Sequence, residues 1–221
     1  MERIPEHELM DNTAQAKAYA EADYSEPHEA FVKHFKVCFP GFSSGTVLDL
    51  GCGPADVTIR FARAFPKTRI TGIDGAQAML DLGLREIKLQ ELDHQMTLKK
   101  CRLPDSELSN LKFDALISNS LLHHLPDPAV MWQAVKLCTG HGAHIFVMDL
   151  LRPSNIETAK EIVQQYANDA PEALKTDFYN SLLAAFSIEE IQEQLKTSGL
   201  EYLAVEIVSD RHFIVWGQKA K

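Results

Sequence analysis

The sequence has few cysteines, no long apolar run and no excess of positive charge. Its four cysteines, at positions 38, 52, 101 and 138, contain no Cys-x-x-Cys pair, which argues against a cysteine-based zinc site and a disulfide framework. We therefore predict no metal site. No run reaches the roughly 18 apolar residues of a membrane span, and the first residues lack the apolar segment of a signal peptide. We expect a soluble cytoplasmic protein.

The charge balance is acidic. Lys and Arg number 22 against 31 Asp and Glu, giving a formal net charge of −9. Such a chain has no broad electrostatic grip on a phosphate backbone, so we expect no nucleic-acid partner. The short basic cluster of Lys99, Lys100 and Arg102 is interpreted as a solvated strand end. With 221 residues and 45% hydrophobic content, the chain can bury the core of a single α/β domain.

The most informative segment is residues 46–56, Thr-Val-Leu-Asp-Leu-Gly-Cys-Gly-Pro-Ala-Asp. An apolar strand runs into a glycine turn and a helix start, and a second apolar strand ends on Asp74, 23 positions after Gly51. This arrangement holds an adenosyl group at the carboxyl ends of parallel strands. Gly51 and Gly53 let the backbone approach a ligand closely, and Asp74 can accept hydrogen bonds from both ribose hydroxyls.

The glycine spacing also indicates which nucleotide binds. A dinucleotide site has the pattern Gly-x-Gly-x-x-Gly, which lets a pyrophosphate rest on the helix N-terminus. Asp56 stands at the sixth position and would repel a pyrophosphate, and Asp49 adds a second negative charge. These acids suit a ligand with a cationic end, such as S-adenosylmethionine. The alternatives are an ordinary β–α turn and, less favoured, a nicotinamide dehydrogenase.

These motifs resemble those of class I S-adenosylmethionine-dependent methyltransferases, close to the small-molecule type 11 and type 25 domains. The similar segments are 47–54, 70–74, 103–105 with 113–119, and 121–125. The likeness covers about residues 30–150 closely and the last two strands more loosely. The resemblance implies S-adenosylmethionine as cofactor and S-adenosylhomocysteine as product. One departure is Ala55, which stands where the family often has a third glycine.

The alternation of patterns predicts an α/β fold, a Rossmann-like seven-stranded sheet that is mostly parallel, with helices on both faces. Strands are expected at about 46–50, 69–73, 95–100, 113–119 and 143–149, with helices near 54–65, 76–90 and 128–138. The last two strands, 200–208 and 211–217, are separated by only two residues. They should form an antiparallel C-terminal hairpin at the sheet edge.

We predict one methyltransferase domain over residues 1–221. It comprises a helical leader or lid (1–45), a cofactor-binding core (46–150), a helical insert with the last helix (151–198) and the hairpin (199–221). The leader should contain helices 11–23 and 26–39, with Ser25 as N-cap. The insert should contain helices 155–168, 171–184 and 187–197, with Ser154 and Ser187 as N-caps. The leader and the insert are expected to cover the site.

The candidate cofactor-binding residues follow the strand ends. Met79 is expected either to cover the adenine face or to pack in the core, and Asn119 either to bind the methionine end or to cap a turn. Residues 101–103 lie where the resemblance places contacts to the adenine edge. The full set is Tyr24, Asp49, Gly51, Cys52, Gly53, Asp74, Gly75, Met79, Cys101, Arg102, Leu103, Asn119 and Ser120.

His123 and His124 are the candidate catalytic residues. Methyl transfer is an in-line displacement that depends mainly on positioning, so a dedicated base is optional. One histidine could take a proton from the acceptor, because its reference pKa of about 6.5 lies near neutral pH. The alternative is a pair at a helix start that makes only polar contacts.

The acceptor is expected to be a small molecule. Pocket residues are proposed among Tyr19, Tyr24, Arg152, Phe178, Tyr179, Asn180, Arg211 and His212. Arg152, Arg211 and His212 together would suit an anionic acceptor. The alternative functions are an RNA or protein methyltransferase and a non-catalytic S-adenosylmethionine-binding module. The pattern does not predict the oligomeric state.

Overall fold

The computed structural model describes residues 1–6, 11–105 and 108–220, and its centre is a seven-stranded sheet. The strand order is β3-β2-β1-β4-β5-β7-β6, which confirms the predicted Rossmann-like α/β fold. The strands are β1 (Ser44–Leu50), β2 (Lys67–Asp74), β3 (Met96–Lys100), β4 (Phe113–Asn119), β5 (Thr139–Leu150), β6 (Ala204–Ile207) and β7 (His212–Gln218).

The first five strands are parallel, and the order reverses between β1 and β4. β1 pairs with β2 on one side and with β4 on the other. The loops that follow these two strands therefore lead away in opposite directions and leave a crevice at the carboxyl ends. This crevice is where Leu50 and Asn119 end their strands.

Helices cover both faces of the sheet. They are α1 (Thr13–Glu21), α2 (Ser25–Cys38), α3 (Asp56–Ala64), α4 (Gln77–Leu89), α5 (Ala129–Cys138), α6 (Ile156–Ala167), α7 (Glu172–Ala184) and α8 (Ile188–Thr197). On one face, Phe31 and Phe35 of α2 pack with Phe61 of α3. On the other, Trp132 of α5 and Ile191 of α8 belong to a second apolar cluster.

The C-terminal hairpin is antiparallel, as predicted, with β7 between β5 and β6. The predicted strand over 200–208 was too long at its start, because β6 begins only at Ala204. The preceding residues turn back onto α8, where the Leu200 N–H donates to the Leu195 carbonyl at 2.8 Å. Leu200 and Leu203 are buried in the core, and this burial favours the turn over an extended strand.

Two of the predicted helix caps are wrong by one residue. Asn155, not Ser154, caps α6, because its side chain accepts from the Thr158 N–H at 2.8 Å. The N-cap of α2 is Tyr24, and Ser25 is the first helical residue. Ser187 caps α8 as predicted, in a capping box with Glu190.

Helix α1 of the leader and helices α6 and α7 of the insert border the cavity at the carboxyl edge of the sheet. Ala16 of α1 packs against Met79 of α4, and Ile162 of α6 packs with Leu182 of α7. Residues 7–10 of the leader and residue 221 of the hairpin lie outside the described residues. Among the helices that are described, none is long and apolar enough to cross a membrane.

Candidate active site

A cavity of about 1230 Å³ opens at the carboxyl ends of β1, β2 and β4. All thirteen predicted cofactor-binding residues line it, together with His123 and His124. The cavity continues from the glycine turn after β1 to α6 and α7 of the insert, whose lining residues include Tyr166 and Phe178. The structure thus brings the predicted residues to one site.

Asp74 ties the end of β2 to the glycine turn. Its Oδ2 accepts from the Gly53 N–H at 2.9 Å, and its Oδ1 accepts from the Ala76 N–H at 2.8 Å. Burial raises the pKa of Asp74, while these N–H donors act in the opposite direction. Each carboxylate oxygen accepts more than one hydrogen bond, so both remain able to bind a ligand's hydroxyl groups.

Three residues of the turn adopt left-handed backbone conformations. The φ angles are +71° at Gly51, +51° at Gly53 and +67° at Ala55. Ala55 therefore occupies a position whose conformation favours glycine, which is why a glycine suits it in similar proteins. A Cβ added to Gly53 would meet nothing within 4 Å, and since Gly53 lines the cavity, that space is available to a ligand.

We expect Gly53→Ala to weaken S-adenosylhomocysteine binding, because the new methyl group would occupy ligand space. Gly142→Ala is the matched control, since Gly142 has a φ of +75° and open space around it but does not line the cavity. Both variants should lose about 1 kcal/mol of unfolding free energy. Only Gly53→Ala should lower affinity in calorimetry, by about tenfold or more. Equal affinities would contradict this placement of the ligand.

Asp49 lies beneath the turn with only 2% of its surface exposed. Its Oδ2 accepts from the Thr58 hydroxyl at 2.6 Å. Burial raises the pKa of Asp49 to about 7, against the opposing effect of that hydrogen bond. The carboxylate therefore changes charge near neutral pH, beside a site predicted to hold a cationic ligand.

This pKa predicts a pH-dependent affinity. Asp49 is neutral below about pH 7 and negative above it, so S-adenosylmethionine should bind more tightly as the pH rises through that value. We expect a gain of roughly tenfold, about 1.4 kcal/mol, between pH 6 and pH 8. Calorimetric titration across this range checks it, and Asp49→Asn should remove the gain. A wild-type affinity that is flat or falls with pH would exclude the effect.

The charge of Asp56 is balanced by the leader and by its own helix. Its Oδ2 contacts Nδ1 of His28 at 2.5 Å and accepts from Nε of Arg60 at 2.9 Å. Burial acts to raise the pKa of Asp56, but these two hydrogen bonds hold it below its usual value. His28 was not among the predicted site residues, because its position in α2 shows no sign of this contact.

Aromatic residues of the leader line the cavity together with the candidate cofactor residues. The rings of Tyr19 and Tyr24 lie 4.9 Å apart, and both residues line the cavity. Burial raises the pKa of Tyr19. Met79 is 4% exposed and packs with α1, so it is a core residue that also borders the cavity.

The ends of β3 and β4 supply the remaining predicted residues. The Cys101 N–H donates to the Asp74 carbonyl at 2.9 Å, which brings residues 101–103 beside the acid. The Asn119 amide donates to the Ser120 hydroxyl at 3.2 Å. Asn119 therefore makes a local hydrogen bond and also lines the cavity.

His123 is held by Asp149, which the sequence analysis did not single out. Nδ1 of His123 contacts Asp149 Oδ1 at 2.6 Å, and the N–H groups of Leu122 and Leu150 donate to the same carboxylate at 2.7 Å each. Burial acts to raise the pKa of Asp149, but His123 and the N–H donors lower it overall. Asp149 lies near the end of β5, so its position at a strand end was a signal that could have identified it.

His124 meets a carboxylate from the beginning of the chain. Its Nδ1 lies 3.7 Å from Glu6 Oε2, and that oxygen accepts from the Ser181 hydroxyl at 2.9 Å. Burial, together with the adjacent His123, lowers the pKa of His124 to about 3. His124 is therefore a neutral imidazole that lines the same cavity as Asp74.

The predicted acceptor residues divide into two groups. Tyr19, Tyr24, Phe178, Arg211 and His212 line the cavity. Arg152, Tyr179 and Asn180 are not part of its lining, so their assignment to the pocket is corrected.

The basic residues offer less positive charge to the cavity than the sequence suggested. Arg152 turns away because its guanidinium donates to Glu190 at 2.9 Å. Arg211 stacks 3.3 Å over the Tyr166 ring and pairs with Asp210 at 3.1 Å. Burial, with the adjacent Arg211, lowers the pKa of His212 to about 4, so this histidine carries no charge at neutral pH.

Comparison with known proteins shows which family the central part of the chain matches. The family model described as a methyltransferase domain matches residues 47–142, which include β1, the glycine turn, Asp74 and both histidines. These residues are a methyltransferase domain. The match confirms the resemblance noted from the motifs.

Curated relatives of the methyltransferase domain are similar over about half of this chain. The ubiquinone biosynthesis O-methyltransferase of Alkalilimnicola ehrlichii is 30% identical over 118 residues, which are 52% of this chain and 45% of that protein. The trans-aconitate 2-methyltransferase of an Enterobacter species is 26% identical over 140 residues, which are 58% of this chain and 50% of that protein. The chain thus spans about half the length of these relatives.

Solved structures share the fold over nearly the whole chain. A putative S-adenosylmethionine-dependent methyltransferase from Methanococcus maripaludis has a TM-score of 0.73 at 18% identity, covering 99% of this chain and 98% of that one. The plantazolicin methyltransferase BpumL, solved in complex with S-adenosylhomocysteine, has a TM-score of 0.70 at 13% identity, covering 95% and 91%. At these identities the likeness shows the fold.

The residues present fit S-adenosylmethionine, the cofactor of this domain type. Asp74 keeps accepting capacity for the ribose hydroxyls, and the space beside Gly53 is open. Asp49 supplies a carboxylate near the turn, where a cationic group is favoured.

Proposed function

We propose that this chain transfers a methyl group from S-adenosylmethionine to a small-molecule acceptor. The observation that carries the proposal is the continuity of one cavity from Asp74 and Gly53 to His123 and His124. Such a cavity holds a donor and a small acceptor end to end. Relatives named for ubiquinone biosynthesis and for trans-aconitate also favour small acceptors.

The residues of the cofactor end bind and orient the donor. Asp74 is proposed to accept from the ribose, the glycine turn to let the backbone approach the ligand, and Asp49 to favour its cationic end. When bound, S-adenosylmethionine supplies a methyl group on a positively charged sulfur. Orientation of this kind lowers a barrier by up to roughly 7–11 kcal/mol, so these residues can account for much of the catalysis.

The leader (1–45) and the insert (151–198) are proposed to enclose the acceptor over the core (46–150). Tyr19, Tyr24 and Phe178 line the cavity, and their aromatic surface would help to exclude water from the acceptor. His123 and His124 lie at the acceptor end as the candidate catalytic residues. Because Nδ1 of His123 donates to Asp149, the neutral form of this imidazole carries its lone pair on Nε2.

The test is turnover of methyl-labelled S-adenosylmethionine with three separate acceptor pools: a small-metabolite extract, bulk RNA and denatured protein. We expect label to enter only the metabolite pool. At S-adenosylmethionine concentrations below its dissociation constant, the Asp74→Asn variant should transfer about 100-fold less label than the wild type. Label in RNA or protein would replace the proposed acceptor class with a macromolecular one. Tight S-adenosylmethionine binding without turnover in any pool would favour the non-catalytic module.

The charge of the acceptor is tested separately. Substrate analogues that differ only in one carboxylate should distinguish an anionic acceptor from a neutral one. Since Arg211 is already paired and Arg152 points elsewhere, we expect less than a tenfold preference for the carboxylate form. A larger preference would restore the anionic acceptor suggested by the sequence.

A further inference from the structure

Three side chains with metal-binding atoms meet at the acceptor end of the cavity. They are Glu6, His123 and His124, and their candidate ligand atoms lie within 4.8 Å of one another. Among the described residues, this is the one group of at least three such side chains that comes together. Two of the three line the cavity, so the group is open to a ligand.

The Nδ1 atom of His124 is placed to bind a ligand that would lie between His124 and Glu6. Its Nδ1 is fully buried and, within the described part of the chain, has no hydrogen-bond partner. Its 3.7 Å distance to Glu6 Oε2 is too long for a hydrogen bond. A buried polar atom without a partner costs about 1–3 kcal/mol, and a ligand bound between the two residues would remove that cost.

His123 and Glu6 are each oriented by a hydrogen-bond partner, as metal ligands in proteins usually are. Asp149 accepts from Nδ1 of His123 at 2.6 Å, the carboxylate–histidine pairing that orients most metal-bound histidines. The Ser181 hydroxyl donates to Glu6 at 2.9 Å. In this way each of these two residues is fixed by a partner from another element.

The beginning of the chain is fastened beside the site. The Arg3 guanidinium donates to the carbonyls of Ala184 at 2.6 Å and His123 at 2.9 Å. It also lies 4.0 Å over the Phe186 ring. These contacts set the position of Glu6, three residues later, against the histidine pair.

We propose that Glu6, His123 and His124 bind a divalent transition-metal ion of the zinc type. Two imidazoles and one carboxylate suit zinc and similar first-row ions, whereas magnesium and calcium prefer sites made of oxygen atoms. Three protein ligands would leave at least one position open to a further ligand, and His123 and His124 line the cavity. That position would take an oxygen or sulfur atom of the acceptor. This use rests on the proposed function, but the existence of the metal site does not.

The experiment is zinc binding by untagged, chelator-dialysed full-length protein, followed by competition with a zinc indicator and by the visible spectrum after cobalt substitution. We expect one tight site per chain and a cobalt spectrum with d–d bands. Glu6→Gln and His124→Gln should each weaken zinc binding by at least about tenfold. Losses of about 10–100-fold are typical even for residues that only hydrogen-bond to a metal ligand. His94→Gln is the matched control, because His94 is exposed and remote from the cavity.

Calorimetry with S-adenosylhomocysteine on the same variants separates misfolding from ligand loss. Glu6→Gln is the milder variant, since glutamine keeps an oxygen for the Ser181 hydroxyl, and it should bind S-adenosylhomocysteine as the wild type does. Zinc binding that is no tighter in the wild type than in Glu6→Gln and His124→Gln overturns the metal site, whatever the result for methyl transfer. Failure of S-adenosylhomocysteine to bind the wild type contradicts the proposed function and leaves the zinc measurement intact.

Discussion

Asp74→Asn is expected to weaken S-adenosylhomocysteine binding by about 100-fold, or about 2.7 kcal/mol. The Asp74 carboxylate accepts hydrogen bonds from the Gly53 and Ala76 N–H groups. Its remaining lone pairs are proposed to accept hydrogen bonds from the ribose. An asparagine has one accepting oxygen, so its amide nitrogen must face either an N–H donor or the ligand. Hydrogen bonds to a charged group are worth about 1.5–3 kcal/mol each, which sets the size of the loss.

Isothermal titration calorimetry measures this change directly. The control is Asp81→Asn on α4, where the carboxylate is exposed and bonded to Gln77 at 2.8 Å. The control should keep the wild-type affinity within about twofold, since Asp81 does not line the cavity. If Asp74→Asn also binds within that range, Asp74 does not hold the ribose.

Asp149→Asn is expected to lower the free energy of unfolding by about 3 kcal/mol at neutral pH. Asp149 is 1% exposed and accepts three hydrogen bonds, from Leu122, Leu150 and His123. An asparagine leaves at least one of these buried donors against its own NH₂ group, at about 1–3 kcal/mol per unsatisfied group. Loss of a buried charged partner costs about 3–5 kcal/mol, so the estimate lies where the two ranges meet.

Chemical denaturation of both proteins checks the loss. Asp114→Asn is the control, because Asp114 also accepts a backbone N–H, from Thr46 at 2.7 Å, but its carboxylate is exposed. We expect that variant to lose less than about 1 kcal/mol. Equal losses for the two variants would mean that burial of the Asp149 network contributes nothing beyond an ordinary hydrogen bond.

The meeting of the candidate cofactor residues in one cavity was largely predictable, because the signals for it are local. A strand, a glycine turn and the acid that ends the next strand lie within about thirty residues, and parallel pairing of β1 with β2 brings them together. The same locality explains the accuracy of the core strands. The errors were at the ends of elements, at the caps of α2 and α6 and at the start of β6, where the boundary depends on contacts with other parts of the chain.

The surroundings of the candidate acceptor residues depended on contacts that no local pattern contains. Arg152 looked free in the sequence, but α8 brings Glu190 to it. Asp56 was read as a bare negative charge, whereas α2 brings His28 against it. In each case the partner lies in another element, so the charge available at the site follows from helix packing.

The sequence alone determined the fold class and the donor. Glycine spacing, the acid at 74 and alternating apolar runs are constraints that each act within a single β–α unit. Only the tertiary structure decided which side chains come together around the histidine pair. Glu6 reaches Ser181 and His124, and Asp149 reaches His123, across 175, 118 and 26 positions of the chain. Such pairings arise where separate elements bury their surfaces together, and periodicity along the chain does not encode which elements will meet.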